Sequence, residues 1–166
     1  MNAVGGVLAG SLILAALCQP LRAADGTNSH RPLSPEQERD TFELSDPALR
    51  VELIAAEPDV VSPVAMAWDP DGRLFVAEMR DYPTGTNGGC IRLLEDLDHD
   101  GRYEKSAVFA EGLRFPNAVL PWNGGLLVTA APDLWFLRDT NGDGHADERR
   151  VLFTGFAEGN QQLRAN

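Results

Sequence analysis

The sequence has few cysteines, lysines and histidines, and each shortage excludes a class of chemistry. Only Cys18 and Cys90 are cysteines, and no Cys-x-x-Cys-His motif is present, so this segment attaches no c-type haem. Lys105 is the single lysine and the net charge is -11, which leaves no basic patch and excludes nucleic acid as a partner. The three histidines have no neighbouring nucleophile, and no zinc signature or phosphate-binding glycine loop accompanies them. These shortages leave the catalytic residues unidentified.

Long apolar runs are also scarce, and the one at the N-terminus predicts export. Residues 3–17 are uncharged and apolar, and a small-residue site around Ala23 follows them. This pattern indicates a signal peptide over residues 1–24, because the run is too short to span a bilayer comfortably. Cleavage there would remove Cys18 and leave no partner for a disulfide. The protein is therefore expected in the periplasm or at the cell surface, with membrane association only through an uncleaved signal or further domains.

Residues 25–48 have the pattern of a linker with one short helix. Ser34-Pro35-Glu36-Gln37 is a capping box with proline at the first helical position, which predicts one or two turns to about Thr41. From residue 50 the period changes to two, and residues 51–55 carry a weak strand signal.

The rest of the chain is a series of short apolar runs bounded by Gly, Pro, Asp or Asn, which predicts an all-β fold over residues 49–166. The runs cover residues 64–68, 73–79, 91–94, 106–110, 117–120, 125–130, 134–137 and 151–156. We also expect the three tryptophans to lie in the core of this fold.

An internal repeat organises these runs. Residues 91–113 match residues 134–156 at a constant offset, and residues 71–76 match residues 123–128 once an insertion at about 81–89 is allowed for. A unit of this length with four short strands is typical of a propeller blade. The prediction is an incomplete β-propeller of two to three blades, truncated at the C-terminus because two blades cannot close a ring. Two similar hairpins in a β-sandwich are the alternative.

Each repeat contains an acidic loop of calcium-binding type. The oxygen ligands would come from Asp96, Asp98, Asp100 and Glu104 in one loop, and from Asp139, Asn141, Asp143 and Asp147 in the other. Calcium takes six to eight hard oxygens around a tight turn, and alternating short acidic side chains provide them. Position 12 carries no glutamate in either loop, so neither is a full EF-hand. The alternative is a hydrophilic turn whose side chains accept hydrogen bonds from backbone amides.

The insertion is the best candidate for a functional loop, because such loops project from one face of a propeller. Arg80 would hold an anionic ligand there and Tyr82 would stack on it. Alternatively, an Arg80–Asp81 pair and a packing Tyr82 merely order the loop. His99 and His145 lie among carboxylates and are expected to be solvated turn residues, and His30 lies in the linker.

Long ordered strings give the chain a specific resemblance. LSPEQERDTFEL, VAEMRDYPTG, FPNAVLPWNGGLLVTAAPDL and LFTGFAEGNQQLRAN resemble the N-terminal propeller of the planctomycete-type membrane-bound dehydrogenase family, from Leu33 to the end. The resemblance implies an exported propeller related to the soluble glucose and sorbosone dehydrogenases, which use pyrroloquinoline quinone. Leu163 departs from the pattern, since relatives often have histidine there.

Two functional hypotheses follow. In the first, the full-length protein is a quinoprotein-type dehydrogenase of a sugar or polyol, with Arg80 and Tyr82 near the cofactor. In the second, it is a calcium-stabilised propeller that binds carbohydrate or a protein without catalysis. We expect no turnover from this segment alone, because it shows no catalytic base.

Overall fold

The computed structural model describes residues 31–85 and 88–156, and it is almost entirely β-structure. The elements in chain order are helix α1 (Pro35–Arg39) and strands β1 (Pro63–Trp68), β2 (Leu74–Met79), β3 (Gly89–Glu95), β4 (Lys105–Leu113), β5 (Pro116–Trp122), β6 (Gly125–Ala130), β7 (Asp133–Arg138) and β8 (Glu148–Thr154). Strands β1–β4 form one antiparallel sheet and β5–β8 form another, each in sequence order. The prediction of an all-β fold is confirmed, while the predicted signal peptide lies outside the described residues.

Helix α1 begins as its sequence predicts. The Ser34 hydroxyl accepts a hydrogen bond from the Gln37 amide at 3.2 Å, and the Gln37 side chain accepts one from the Ser34 amide at 2.9 Å. These reciprocal bonds satisfy two donors that the first turn of a helix leaves free. The capping box is therefore confirmed, and the helix ends two residues before Thr41.

The two sheets are copies of one structural unit, as the repeat predicts. The pairing of β3 with β4 skips Phe109, and the pairing of β7 with β8 skips Leu152, so equivalent residues form the bulge in each sheet. Each first strand is also entered through a residue with positive φ, which is 50° at both Ser62 and Phe115. Local backbone details thus recur along with the strand order.

The sheets stack front to back. Leu126, Val128 and Leu137 of the second sheet join one buried cluster with Phe75 and Leu93 of the first. In the first sheet, the repeat equivalents of those three second-sheet residues are Leu74, Val76 and Leu94, which form a separate cluster on the opposite face. A sandwich with two-fold symmetry would bring equivalent faces together. Here unlike faces meet. The second unit is therefore stacked on the first in the same orientation and is not related to it by a two-fold axis.

The outward faces of the two sheets differ in how far other residues cover them. Ile54, Ala55, Val60 and Tyr103 pack on the cluster of Leu74, Val76 and Leu94. The outward face of the second sheet is partly bare: Leu120 is 58% exposed, Trp122 51% and Phe153 64%.

Two predictions about these regions are wrong. Residues 51–55 form no strand, because no other described strand pairs with them. Trp68 and Trp122 are exposed and do not lie in the core, since both sit on sheet faces that lack a full cover. Trp135 does pack against the core cluster, as expected.

Candidate cation site in the first acidic loop

Both predicted calcium loops connect the third and fourth strands of their sheets. The first acidic loop, Asp96–Glu104, follows β3, and the second acidic loop, Asp139–Asp147, follows β7. In each, positive φ occurs at the fourth and sixth positions: His99 and Gly101 in the first, Gly142 and Gly144 in the second. The alternating short polar residues fold the backbone into tight turns by accepting hydrogen bonds from amides two residues on.

The first acidic loop brings its four carboxylates together. One oxygen from each of Asp96, Asp98, Asp100 and Glu104 lies within 4.8 Å of the others. The Asp96 Oδ2 accepts a hydrogen bond from the Gly101 amide at 3.0 Å, whereas the Asp96 Oδ1 is buried and accepts none. Four negative charges at this separation repel one another, so a cation placed among them would be strongly attracted.

The nearby basic residues are held elsewhere. The Arg102 guanidinium lies 3.4 Å from the Glu36 carboxylate of α1, and the Lys105 ammonium pairs with Glu95 at 2.5 Å. Neither contact neutralises the four clustered carboxylates. The oxygen-only donor set fits a hard cation such as calcium better than a softer transition metal.

The second acidic loop has the same pattern of positive φ angles, but its side chains form different hydrogen bonds. Both oxygens of Asp139 accept hydrogen bonds from amides, the closest from Gly142 at 2.7 Å and Gly144 at 2.8 Å. Burial pushes the pKa of Asp139 upward, but these amide donors outweigh it and hold the pKa below its ordinary value. Asp147 accepts from Thr140, and Asn141 donates to Asp143. Its carboxylates do not converge as in the first loop, and the geometry matches the hydrophilic-turn alternative.

Each acidic loop is also anchored to the chain segment behind it. The Ala146 amide donates to the Phe109 carbonyl at 2.7 Å, and the His145 Nδ1 lies 2.6 Å from the Val108 carbonyl. In the first loop, the Tyr103 amide donates to the Ile54 carbonyl at 3.1 Å. His145 is therefore exposed to solvent, and its ring also contacts the backbone of β4.

The insertion places Arg80 and Tyr82 beside one cavity of about 430 Å³. The Arg80 guanidinium is bound to Glu78 through Nε at 2.8 Å and a terminal nitrogen at 2.7 Å. Tyr82 is half exposed, and its ring meets Phe115 edge to face at 6.5 Å. The partner of Arg80 is Glu78 and not Asp81, whose carboxylate accepts from the Gly88 amide at 2.7 Å.

Sequence patterns missed the buried charge cluster around Glu78. This carboxylate is fully buried and accepts hydrogen bonds from the Val61 amide at 2.8 Å and the Cys90 thiol at 3.0 Å. The Arg92 Nε lies 3.4 Å away. Burial alone would raise the pKa of Glu78, but the thiol, the amide and the two guanidiniums lower it below its ordinary value. The signal for this cluster was an acid in the middle of the apolar run 73–79.

The same cluster disfavours ionisation of the Cys90 thiol. Burial and the neighbouring Glu78 carboxylate raise the pKa of the Cys90 thiol to about 12. Cys90 is a buried residue of β3.

Comparisons with known proteins identify the family without naming an activity. In the described ranges, none of the helices has the length and apolar character needed to cross a bilayer. No curated protein matches the chain, and no solved structure matches it. A family profile described as a domain of unknown function, DUF7133, matches residues 34–166, so the chain belongs to the DUF7133 family.

Proposed function

We propose that the protein is a β-propeller scaffold that binds a calcium ion in the first acidic loop and uses the stabilised blades to recognise carbohydrate or a protein ligand. The observation that carries the cation proposal is the convergence of four carboxylates within 4.8 Å. The buried Asp96 Oδ1, which has no hydrogen-bond donor, supports it independently. A bound calcium ion would supply the positive charge that this oxygen lacks.

The propeller part of the proposal is supported by the stacking of the two sheets. Each four-stranded sheet turns an unlike face toward its neighbour, and β5 packs against both β1 and β2. Repeated units stacked in this way around an axis give a propeller. The two sheets correspond to two neighbouring blades.

Calcium affinity in such a loop would suit an exported protein. The loop lacks the bidentate glutamate of an EF-hand at position 12, where Ala107 stands. Calcium sites of extracellular modules bind with a Kd of about 10⁻⁴ to 10⁻³ M, and we expect a loop without the bidentate glutamate to bind in this weak range. The apolar segment at residues 3–17 supports export to a compartment where calcium reaches that concentration.

Isothermal titration of the calcium-free chain with calcium tests this proposal. Asp96→Asn removes one charge at the centre of the cluster and should weaken binding by at least about tenfold. The matched control is Asp139→Asn in the second acidic loop, which should leave the measured affinity unchanged. Absence of binding at millimolar calcium, or equal effects of the two substitutions, would contradict the proposal.

A dehydrogenase of the glucose and sorbosone type is the second candidate, and the cavity beside Arg80 and Tyr82 is its proposed cofactor face. Pyrroloquinoline quinone is a tricarboxylate and requires unpaired positive charge. Among the described residues that line this cavity, Arg80 is the basic one, and Glu78 holds its guanidinium. The residues present therefore do not fit the cofactor, and we assign no catalytic step to them.

Activity can still be measured directly on the protein. Pyrroloquinoline quinone, calcium and an artificial electron acceptor are added together with a panel of aldoses and polyols. Acceptor reduction above a cofactor-free control would favour the dehydrogenase. No reduction across the panel, together with measurable binding of a glycan, would favour the scaffold.

A further inference from the structure

We infer that residues 51–56, here called the closing segment, supply the fourth strand of a further sheet whose first three strands come from another unit of the same repeat. The closing segment lies against the first sheet in the position that β4 occupies against the second. This inference depends on the front-to-back stacking and the proposed propeller, and it is independent of cation binding.

A hydrogen bond of the closing segment repeats one of β4. Tyr103 and Ala146 are repeat equivalents, and their amides donate to the carbonyls of Ile54 and Phe109 respectively. Phe109 is the bulge residue of β4, so its carbonyl is available to the next unit. The closing segment therefore presents a carbonyl to the first acidic loop as a fourth strand does to the second.

The apolar contacts agree as well. Ile54 and Ala55 cover the cluster on the outer face of the first sheet, while Phe109 and Ala110 lie in the cluster that the second sheet joins.

Unlike β4, the closing segment has no neighbouring strand in its own sheet among the described residues. Strand β4 pairs along one edge with β3, whereas the backbone amides of residues 51–57 donate no hydrogen bond within the described part of the chain. An extended edge of unpaired amides is a template for strand addition. Its missing partner is a strand equivalent to β3 and β7.

The face beside the closing segment shows where the first two strands of that sheet would lie. Val64, Met66 and Trp68 of β1 are 48%, 61% and 49% exposed. Val119, the repeat equivalent of Met66, is 8% exposed because the first sheet covers it. In a three-stranded antiparallel sheet of this repeat, the first two strands would cover β1 and the third strand would pair with the closing segment.

The inference is tested by supplying the missing strands. In one variant, a copy of residues 116–147, which holds β5–β7 and the second acidic loop, replaces residues 34–49. In a second, a copy of residues 132–147 replaces the same stretch and supplies only the third strand and its loop. Hydrogen exchange followed by mass spectrometry should show the amides of residues 51–57 slowed by at least about tenfold in either variant.

The matched control is the longer variant with Leu53→Pro and Ala55→Pro, which removes two amides from the closing segment and should abolish the slowing. Exchange in β2 and β6 reports whether the original sheets are intact. Unchanged exchange at residues 51–57 in both variants, with β2 and β6 protected as in the unaltered chain, would overturn the inference. Equal slowing in the proline control would overturn it too.

Discussion

Glu78 is a fully buried carboxylate whose neighbours determine its charge. Two guanidiniums, one thiol and one backbone amide surround it, and burial opposes ionisation less than these groups favour it. Removing one member of a buried ion pair leaves the others without compensation. The side chain thus joins the end of β2 to β3 and to the turn at Val61.

Replacement of Glu78 by glutamine should reduce the free energy of unfolding by about 2 kcal/mol at pH 7, because Arg80 and Arg92 lose their counter-ion. Arg80 is partly exposed and water compensates part of the loss. The measurement is chemical denaturation. Glu95→Gln breaks a partly exposed pair with Lys105 and should cost less than about 1 kcal/mol.

The cost of Glu78→Gln should depend on pH. Because folding lowers the pKa of Glu78, its contribution is fully present above the ordinary glutamate pKa of about 4.3. The contribution is lost as pH falls through the lower folded pKa. The difference between the two proteins should therefore shrink in acid; a constant difference between pH 7 and pH 3 would contradict this account.

Cys90 should resist thiol reagents in the folded protein. With its pKa raised to about 12, almost no thiolate exists at pH 8. Labelling with a disulfide reagent should be at least about a hundredfold slower in buffer than in denaturant, where the thiol regains its ordinary pKa. Rapid labelling without unfolding would show that Cys90 is accessible and ionised.

At the level of secondary structure, the sequence predicted the strands well because each pairs with its neighbour in the chain. Local turn residues fix such hairpins, so the run 125–130 coincides with β6 and the others differ only at their ends. Residues 51–55 have a strand pattern without a described partner, and the pattern alone does not supply the backbone hydrogen bonds. The strand prediction for residues 51–55 failed because the pattern does not show whether a pairing strand is present.

The two acidic loops also show what a sequence pattern alone does not predict. Spacing predicted one site type for both, but side-chain identity separates them. The side chains of Thr140 and Asn141 donate to carboxylates of the second loop. At the equivalent positions of the first loop, the side chains of Leu97 and Asp98 donate none, and only the Leu97 backbone amide reaches Glu104. Which carboxylates converge depends on these hydrogen bonds, and a motif of alternating acids does not specify them.

This difference predicts different roles for Asp139 in the second acidic loop and Asp98 in the first. In calcium-free buffer, Asp139→Ala should lower the free energy of unfolding by about 1–2 kcal/mol, because three turn amides lose their acceptor. Asp98 accepts from one amide, at 3.3 Å. Asp98→Ala should therefore change stability by less than about 0.5 kcal/mol. Equal losses in thermal or denaturant unfolding would mean that the two loops are stabilised alike.

At the scale of the described chain, the larger buried cluster lies between the two sheets and the smaller one lies on the outer face of the first sheet. The fold class, the strand order and the repeat were predictable because they depend on local pattern. The face that each sheet turns to its neighbour was not, since alternation marks two faces of a strand without saying what covers either. Trp68 and Trp122 illustrate this, for both are large and apolar and yet lie uncovered.

Two leucines in the second sheet separate these faces experimentally. Leu126 is 1% exposed in the cluster shared with the first sheet, and Leu120 is 58% exposed on the outward face. Leu126→Ala should cost about 2–5 kcal/mol, because it opens a cavity between the sheets. Leu120→Ala should change the free energy of unfolding by less than about 0.5 kcal/mol while weakening binding of a hydrophobic dye to the bare face. If instead Leu120→Ala destabilised the chain as much as Leu126→Ala, the outward face would already be covered in solution. The front-to-back stack would then have a neighbour on that side.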